Sequence, residues 1–403
     1  MPNCNEGDRI ILNELILQED VQQFISSKLN NDINRILLSK SPFAGISSKE
    51  LAEQIDSKKR SEKKLPTWYQ SDRIYYPPKI SIEQTSSEIT AAYKSSLIKG
   101  GSVIDLTGGF GIDSHYFAQT VLSVTHCELN EELSAIAKYN AGVLNSSNIR
   151  FLAGDGLEYL RSSTETFDTI YLDPSRRINA QKVFFLKDCE PDVVSNLDYL
   201  LSRAQRIIIK TAPLLDIQSG LKELRNVSEI HVVSVKNECK ELLWVIDKNF
   251  DLPEPEIICV ALKDAETNLY KFKISKERAF SVDNYSAPLN YIYEPDVALL
   301  KAGCFKLISR DFNVLKLQQH THLYTSENLL NFIGRTFRVK RQWTYKEFIK
   351  LKPVKQANII CRNFPINSVE VKKKHRLMDG GNEYLLFTTG SSNELMVLSC
   401  ARI

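Results

Sequence analysis

The stretch Val103-Ile-Asp-Leu-Thr-Gly-Gly-Phe-Gly111 reads as a short buried strand that ends in a carboxylate, Asp105, and turns through three glycines toward a helix. In an open α/β sheet, ligands bind outside the carboxyl ends of the strands, near the switch in strand order. Three more carboxylates, Glu128, Asp155 and Asp173, stand at the ends of comparable apolar runs. Four acids around such a crevice suit a cationic ligand rich in hydroxyl and amine donors. A pyrophosphate ligand would instead want bare helix N-terminal N–H groups and a single acid for its ribose.

Outward from this turn the pattern is strand–helix alternation, the sign of a parallel sheet. Strands are expected at 102–106, 122–127, 149–153, 168–172 and 206–210, with the clearest helices at 131–144 and 192–203. Two further strands, 229–235 and 241–246, are separated by only five residues. No crossover helix fits so short a gap, so these two must form an antiparallel hairpin. An α/β sheet of five parallel strands finished by a hairpin differs from a plain dinucleotide-binding fold.

The flanks read differently. Residues 8–60 carry helical periodicity, with Ile11, Leu15, Val21, Ile25 and Leu29 at helical intervals. Residues 57–78 mix Lys58, Lys59, Arg60, Lys63 and Lys64 with Trp68, Tyr69, Tyr75 and Tyr76, and read as a surface loop. These aromatics either stack on single-stranded nucleic acid or pack a seam between domains. Thr85 and Glu88 have capping-box spacing and start a helix that runs to Gly100-Gly101. Asp251-Leu-Pro-Glu-Pro-Glu256 is a stiff acidic linker. The domains are therefore expected at 1–95, 96–250, 251–330 and 331–403, the last two α+β. In the last, 345–351 is helix-like, 357–361, 368–371 and 384–388 are strand-like, and Asp379-Gly380-Gly381 is a turn.

The chain has 403 residues, enough for two to four domains. No apolar run approaches the roughly 20 residues of a membrane helix. The N-terminus shows no secretory signal pattern. Eight cysteines without a C-x-x-C pair, and six histidines without ligand spacing, predict free thiols, a cytoplasmic setting and no metal. Residues 331–403 hold fourteen Lys/Arg against five Asp/Glu, an excess of nine in a chain of net charge +3, so the remainder carries −6. That asymmetry indicates either an acidic partner, nucleic acid first, or a solvated charged surface. Arg335, Arg338, Lys340, Arg341 and Lys372-Lys-Lys-His-Arg376 are the candidate phosphate-binding cations.

Taken together, Asp105-Leu-Thr-Gly-Gly-Phe-Gly-Ile-Asp113, Cys127-Glu128, Gly154-Asp155-Gly156 and Leu172-Asp-Pro-Ser-Arg-Arg177 resemble class I S-adenosylmethionine-dependent methyltransferases. Gln84-Thr-Ser-Ser-Glu-Ile-Thr-Ala-Ala-Tyr-Lys94, Lys210-Thr-Ala-Pro-Leu-Leu-Asp-Ile217, Asn237-Glu-Cys-Lys-Glu-Leu242 and Arg362-Asn-Phe-Pro365 are similar to the bacterial members with a C-terminal THUMP-like domain. The resemblance implies a class I methyltransferase (Rossmann-like) sheet with a terminal antiparallel hairpin, an N-terminal helical region, and ferredoxin-like and THUMP-like modules. It implies S-adenosyl-L-methionine as cofactor and RNA as substrate, since THUMP modules proper bind RNA.

The cofactor would be held by Asp105, Thr107, Gly109, Gly111, Glu128, Asp155 and Gly156. Glu128 lies 23 residues after Asp105, near the spacing at which an acid binds ribose hydroxyls in doubly wound folds. Asp155 would accept from the adenine amine, with Gly156 leaving room beside the ring. Asp173, Pro174 and Arg176 would be catalytic. In amine methyltransferases the matching motif is Asp or Asn, Pro, Pro, then an aromatic; the acid orients the acceptor amine. Here Ser175 and Arg176 fill the last two places, so the base-stacking ring is missing. Arg176 then stacks on a base or binds phosphate, or else Arg176 and Arg177 pair with Asp188 or Glu190. Lys210 and the hairpin residues Glu238, Cys239, Lys240 and Glu241 are candidates for the pocket wall, Cys239 also as a possible thiolate nucleophile. His126, inside a strand, is expected to be packed. The leading expectation is methylation of a base nitrogen in ribosomal or transfer RNA; a DNA or protein methyltransferase and a non-catalytic cofactor-binding RNA adaptor are the alternatives.

Overall fold

The computed structural model describes residues 12–176, 185–264, 266–282 and 284–403. It divides into two compact units. The first runs to Thr211 and takes in Gln218–Val227 and Trp244–Asp251; the second holds Ala212–Ile217, Ser228–Leu243 and everything from Leu252.

The first unit is built on parallel strands β1 (Ser102–Asp105), β2 (Ser123–Glu128), β3 (Ile149–Ala153), β4 (Phe167–Leu172) and β5 (Ala204–Thr211). The expected strands are all present, shifted at their ends by at most two residues. The chain continues through β6 (Val227–Val235) and β7 (Glu238–Asp247). In this unit the order is β7-β5-β4-β1-β2-β3. The pairs β3–β2, β2–β1, β1–β4 and β4–β5 are all parallel. Val103, Ile104, Ile170, Ile207 and Ile208 are fully buried, as continuous apolar runs in a two-sided sheet demand. The chain passes from β6 to β7 through Lys236 and Asn237 alone, both with positive φ (51° and 65°). That is the two-residue turn whose twist matches a tight hairpin. The expected hairpin is present, with β7 starting three residues earlier than its apolar run suggested.

Ahead of the sheet lie helices α1 (Glu19–Ser27), α2 (Ile33–Leu38), α3 (Ser48–Lys64), α4 (Pro66–Gln70), α5 (Lys79–Gln84) and α6 (Glu88–Ser95). A 3₁₀ turn at Glu14–Leu17 precedes α1, because extended Gln18 breaks the apparent helical run. Ser47 and Glu50 close a capping box that starts α3, and its Leu51 and Ile55 are buried. The segment 57–78 is not a surface loop. Trp68, Tyr75 and Tyr76 are buried in the helical core with Phe110, Ile112 and Ile136. Burial of each ring stabilises the unit by about 1.5–3 kcal/mol, which leaves these rings unavailable for stacking on nucleic acid. The Thr85–Glu88 box is also replaced. Ser87 caps α6, Thr85 ends α5, and the Glu88 carboxylate accepts from Thr67 N, Thr67 Oγ1 and Tyr116 Oη.

The second unit pairs β6 in parallel with β8 (Glu256–Lys263), which pairs antiparallel with β9 (Glu266–Phe272). Its other sheet has seven strands: β10 (Tyr291–Pro295), β11 (Leu315–Lys316), β12 (Tyr324–Ser326), β13 (Gly334–Thr344), β14 (Asn358–Arg362), β15 (Glu383–Thr389) and β16 (Leu395–Arg402). Their order is β11-β12-β10-β13-β16-β15-β14. Antiparallel pairing of β10 with β13 joins strands from both sides of residue 331 in one sheet. The expected strand at 368–371 is a helix, Ser368–His375. Val369 and Val371 suggested alternation, but the Asn367–Glu370 capping box decides for helix. The helix joins β14 to β15, which are parallel and therefore need a crossover.

Candidate active site

The loop after β1 is fixed from beneath. Asp105 is 1% exposed; its Oδ1 accepts from Thr107 N at 3.0 Å and its Oδ2 from Ser114 Oγ at 2.7 Å. Burial, against the pull of the Ser114 hydrogen bond, pushes its carboxyl up to about 7. Asp105 therefore shapes the loop rather than facing a ligand, so three of the four expected acids remain within reach of one. Thr107 links two loops, since its Oγ1 accepts from Asp173 N at 2.7 Å.

The glycines serve different needs. A Cβ on Gly108 would lie 2.3 Å from Nε2 of His126, which is fully buried in β2, as expected. Gly109 (φ +55°) and Gly111 (φ +82°) hold left-handed conformations that favour glycine, and Gly111 leads into helix α7 (Ile112–Ala118). Nothing crowds Gly109, whose backbone is open to approach.

Glu128 ends β2, half-buried. Its Oε2 accepts from Gly109 N and its Oε1 from Asn130 N, both at 2.8 Å, so the carboxylate is anchored across the glycine loop. Each oxygen keeps a second lone pair for an outside hydroxyl. Asn130 caps α8 (Glu131–Val143). Asp155 follows β3 and caps α9 (Gly156–Ser162): its Oδ1 accepts from Leu157 N at 2.7 Å and Glu158 N at 3.2 Å. Its Oδ2 has no partner among the described residues. Packing within the fold also demands a glycine at Gly156. Its Cβ would sit 2.9 Å from Leu106 Cα and 3.0 Å from Leu106 O, so a side chain would separate α9 from the β1 loop.

Asp173 follows β4, with a third of its side chain exposed, and forms an ion pair with Lys210 at the end of β5. Pro174 comes next, and Ser175–Arg176 pairs antiparallel with Cys189–Glu190. The Arg176 side chain and all of Arg177 lie outside the described residues. Below, Lys94 of α6 is fully buried; its Nζ meets Asp113 Oδ1 at 2.8 Å and Oδ2 at 2.9 Å. Asp113 Oδ2 also accepts from Ser86 Oγ at 2.8 Å and Tyr171 Oη at 2.9 Å. Although burial pushes the Asp113 carboxyl up, the charges of Lys94 and then Lys210 hold it below the ordinary carboxylate range.

Asp105, Thr107, Gly109, Gly111, Glu128, Asp155, Gly156, Asp173 and Pro174 thus share the carboxyl-end rim of β1–β4. Sequence reasoning missed the Lys210–Asp173 pair and the Lys94–Asp113 pair; the Gln84–Lys94 and Lys210–Ile217 motifs carried the only signal for them. In the second unit, Lys240 pairs with Glu238 at 2.7 Å. Burial raises the Cys239 thiol to about 11, which makes it a poor source of thiolate. Among the described residues no group of His, Cys, Asp and Glu forms a metal cluster, and no helix is long and apolar enough to cross a membrane.

Residues 291–332 match the model of a ferredoxin-like domain, and 334–402 that of a THUMP-like domain. Among curated proteins, the chain is 28% identical over 142 residues to a Clostridium acetobutylicum protein named as an RNA methyltransferase. That match covers 32% of this chain and 31% of the relative. It is 34% identical over 82 residues to the 23S rRNA (uracil(747)-C(5))-methyltransferase of Pyrococcus abyssi, covering 20% of this chain and 19% of that one. The chain spans between about a fifth and a third of the length of the curated relatives it matches. A crystal structure of a candidate methyltransferase from Porphyromonas gingivalis superposes with a TM-score of 0.87. Its sequence is 33% identical, and the match covers 97% of this chain and 98% of that one. With both C-terminal modules and nearly the full length in common, the chain belongs to the bacterial class I S-adenosylmethionine-dependent methyltransferase family that carries a C-terminal THUMP-like domain.

Proposed function

We propose that this protein methylates a nitrogen of a base in structured RNA, ribosomal or transfer, using S-adenosylmethionine. The observation that carries the reading is the rim of β1–β4. An anchored but reachable Glu128, a half-engaged Asp155 and a reachable Asp173 surround a glycine loop whose backbone is open at Gly109. The donor set fits the cofactor: Glu128 would take the ribose hydroxyls, the free Oδ2 of Asp155 the adenine amine, and the Thr107–Gly111 backbone the methionine part. When bound, the cofactor supplies an electrophilic methyl on a sulfonium. The protein's share of the chemistry is chiefly positioning, because in-line attack is steeply sensitive to geometry. Thr107 serves this by tying the cofactor loop to Asp173.

RNA as the substrate is supported by the names of the curated relatives, by the THUMP-like module and by its charge. Arg338, Lys340, Arg341, Lys373, Lys374 and Arg376 are exposed or partly exposed and open to phosphates. The seven described cysteines are all free, which fits a reducing cytoplasm.

The test is incubation of the protein with methyl-labelled cofactor and total RNA, DNA or lysate protein. Label should enter RNA, and an Asp173→Ala variant should bind cofactor but transfer nothing. Label confined to DNA or protein, or wild-type turnover by the variant, would refute the proposal.

A further inference from the structure

The helical region ahead of the sheet holds a buried cation that has no ion pair among the described residues. Lys58 of α3 is 8% exposed, and its Nζ has one hydrogen-bond partner among them, Ser26 Oγ at 3.1 Å. Burial holds this ammonium below the ordinary lysine range, against the pull of the Asp72 charge. Buried ammonium groups in folded proteins are paired or fully hydrogen-bonded, because desolvating the charge is costly. Lys58 has two of its three donors left over.

Lys58 lines a cavity of about 570 Å³ together with Gln18, Glu19, Gln22, Asp72 and Arg73. Gln18 starts the nine-residue helix α1 without a side-chain cap, and the Glu19 and Asp20 N–H groups have no partner among the described residues. An uncapped helix start and an unpaired ammonium in one cavity both select an anion. Two acids, Glu19 and Asp72, also line it, and both are exposed. Water screens them, so they repel an anion less than desolvated Lys58 attracts it. They are also acceptors: neither Asp72 oxygen has a hydrogen-bond partner among the described residues, which suits a ribose hydroxyl. Exposed Arg73, at φ +62°, also lines a second cavity of about 770 Å³ with Lys138 and Tyr139 of α8. Anion donors beside hydroxyl acceptors fit a ribonucleotide. Two cavities that share Arg73 fit a strand rather than a single small ion.

Resting on the RNA methyltransferase reading above, we infer that this cavity binds one nucleotide of the RNA substrate, its phosphate on Lys58 Nζ and the start of α1, its ribose 2′-hydroxyl on Asp72. The 2′-hydroxyl is the group that tells RNA from DNA at a given position. None of these residues belongs to the rim of β1–β4, so the site holds RNA without touching the reacting atoms.

The experiment is filter binding of total RNA to the full-length protein over a salt series, for wild type and Lys58→Met. The variant should bind at least about tenfold more weakly, and its slope of log K against log salt should be shallower by about 0.7, one phosphate fewer. Its affinity for S-adenosylhomocysteine should be unchanged in calorimetry. Its thermal midpoint should not fall, since methionine removes an unpaired buried charge. Unchanged RNA affinity and slope would overturn the inference, and a lower midpoint beside them would make Lys58 a structural residue. Arg73→Glu, an exposed change on the same cavity, covers the case in which Lys58→Met does not fold. It should weaken RNA binding about tenfold, and unaltered affinity would again overturn the inference. Uridine 5′-monophosphate, titrated with S-adenosylhomocysteine saturating, tells a free nucleotide from a strand. It should bind more weakly than RNA; tighter binding than RNA would give the cavity to a free nucleotide instead. Asp72→Ala should narrow the preference for an RNA oligonucleotide over its DNA counterpart, and an unchanged preference would remove Asp72 from the site. A protein that labels RNA but binds it independently of Lys58 keeps the proposed function and loses this site. One that binds RNA through Lys58 but labels none keeps the site and loses the function.

Discussion

Replacing Lys94 with methionine roughly keeps the volume of a fully buried side chain but leaves Asp113 without its ammonium. Breaking a buried pair from one side costs about 3–5 kcal/mol, because the remaining charge is uncompensated. Asp113 would keep hydrogen bonds from Ser86 Oγ and Tyr171 Oη, which places the expected loss near the lower end, about 3 kcal/mol. For a unit of this size that is a fall of about 6–12 °C in the thermal midpoint. The sign of the pH dependence is fixed. In the wild type the Asp113 carboxyl is held below its unfolded value, so the pair contributes fully above pH ~4 and is lost at more acid pH. In the variant burial acts unopposed by Lys94, so the deficit should shrink as pH falls from neutral and the carboxyl protonates. Urea and thermal transitions of wild type, Lys94→Met and Lys94→Met/Asp113→Asn measure this. The double variant should regain at least half of the loss. A single-variant cost under about 1 kcal/mol, or a double variant less stable than the single, would refute the reasoning.

The Asp105 carboxyl is raised to about 7 in the fold, so the native state holds a proton that the unfolded chain releases. Its contribution therefore falls as pH rises from about 4 to about 7, and Asp105→Asn should flatten stability across that window in denaturation series. Gly108→Ala puts a methyl against the His126 ring and should cost about 1–3 kcal/mol as well as cofactor affinity. Adding His126→Ala should return part of that stability in a thermal melt; no recovery would mean the glycine serves another need. Alanine at Lys372, Lys373 and Lys374 should flatten the slope of log K against log salt for total tRNA by roughly 0.7–0.9 for each phosphate no longer neutralised. An unchanged slope in filter binding would exclude this helix from the RNA interface.

The sheet was legible because apolar runs recur along it, and those of β1 to β4 end in or within two residues of an acid, so these strands and their rim carboxylates could be read directly, whereas β5 ends in Lys210-Thr211. The hairpin followed from loop length alone, although charged Glu238 and Lys240 hid the true start of β7. Reading failed where two local codes compete. Val369 and Val371 alternate like a strand, but the Asn367 cap starts a helix. Thr85 and Glu88 have the spacing of a box, but Glu88 is taken by Thr67 and Tyr116. Trp68, Tyr75 and Tyr76 stand among lysines in sequence, yet their rings are core. The ion pairs at the site were hidden for a simpler reason. Asp173 and Lys210 lie 37 residues apart, Lys94 and Asp113 19 apart, and only tertiary packing brings them together. The crowding of Gly156 by the Leu106 backbone, 50 residues earlier in the chain, likewise left no local mark in the sequence.

The central claim is that the rim of β1–β4 holds a methyl donor, and titration calorimetry of the full-length protein with S-adenosylhomocysteine tests it most directly. One saturable site is predicted, weakened by Glu128→Ala about tenfold or more, as loss of hydrogen bonds to a charged group requires. The absence of any heat of binding to the wild-type protein, or equal affinity in the Glu128→Ala variant, would contradict it.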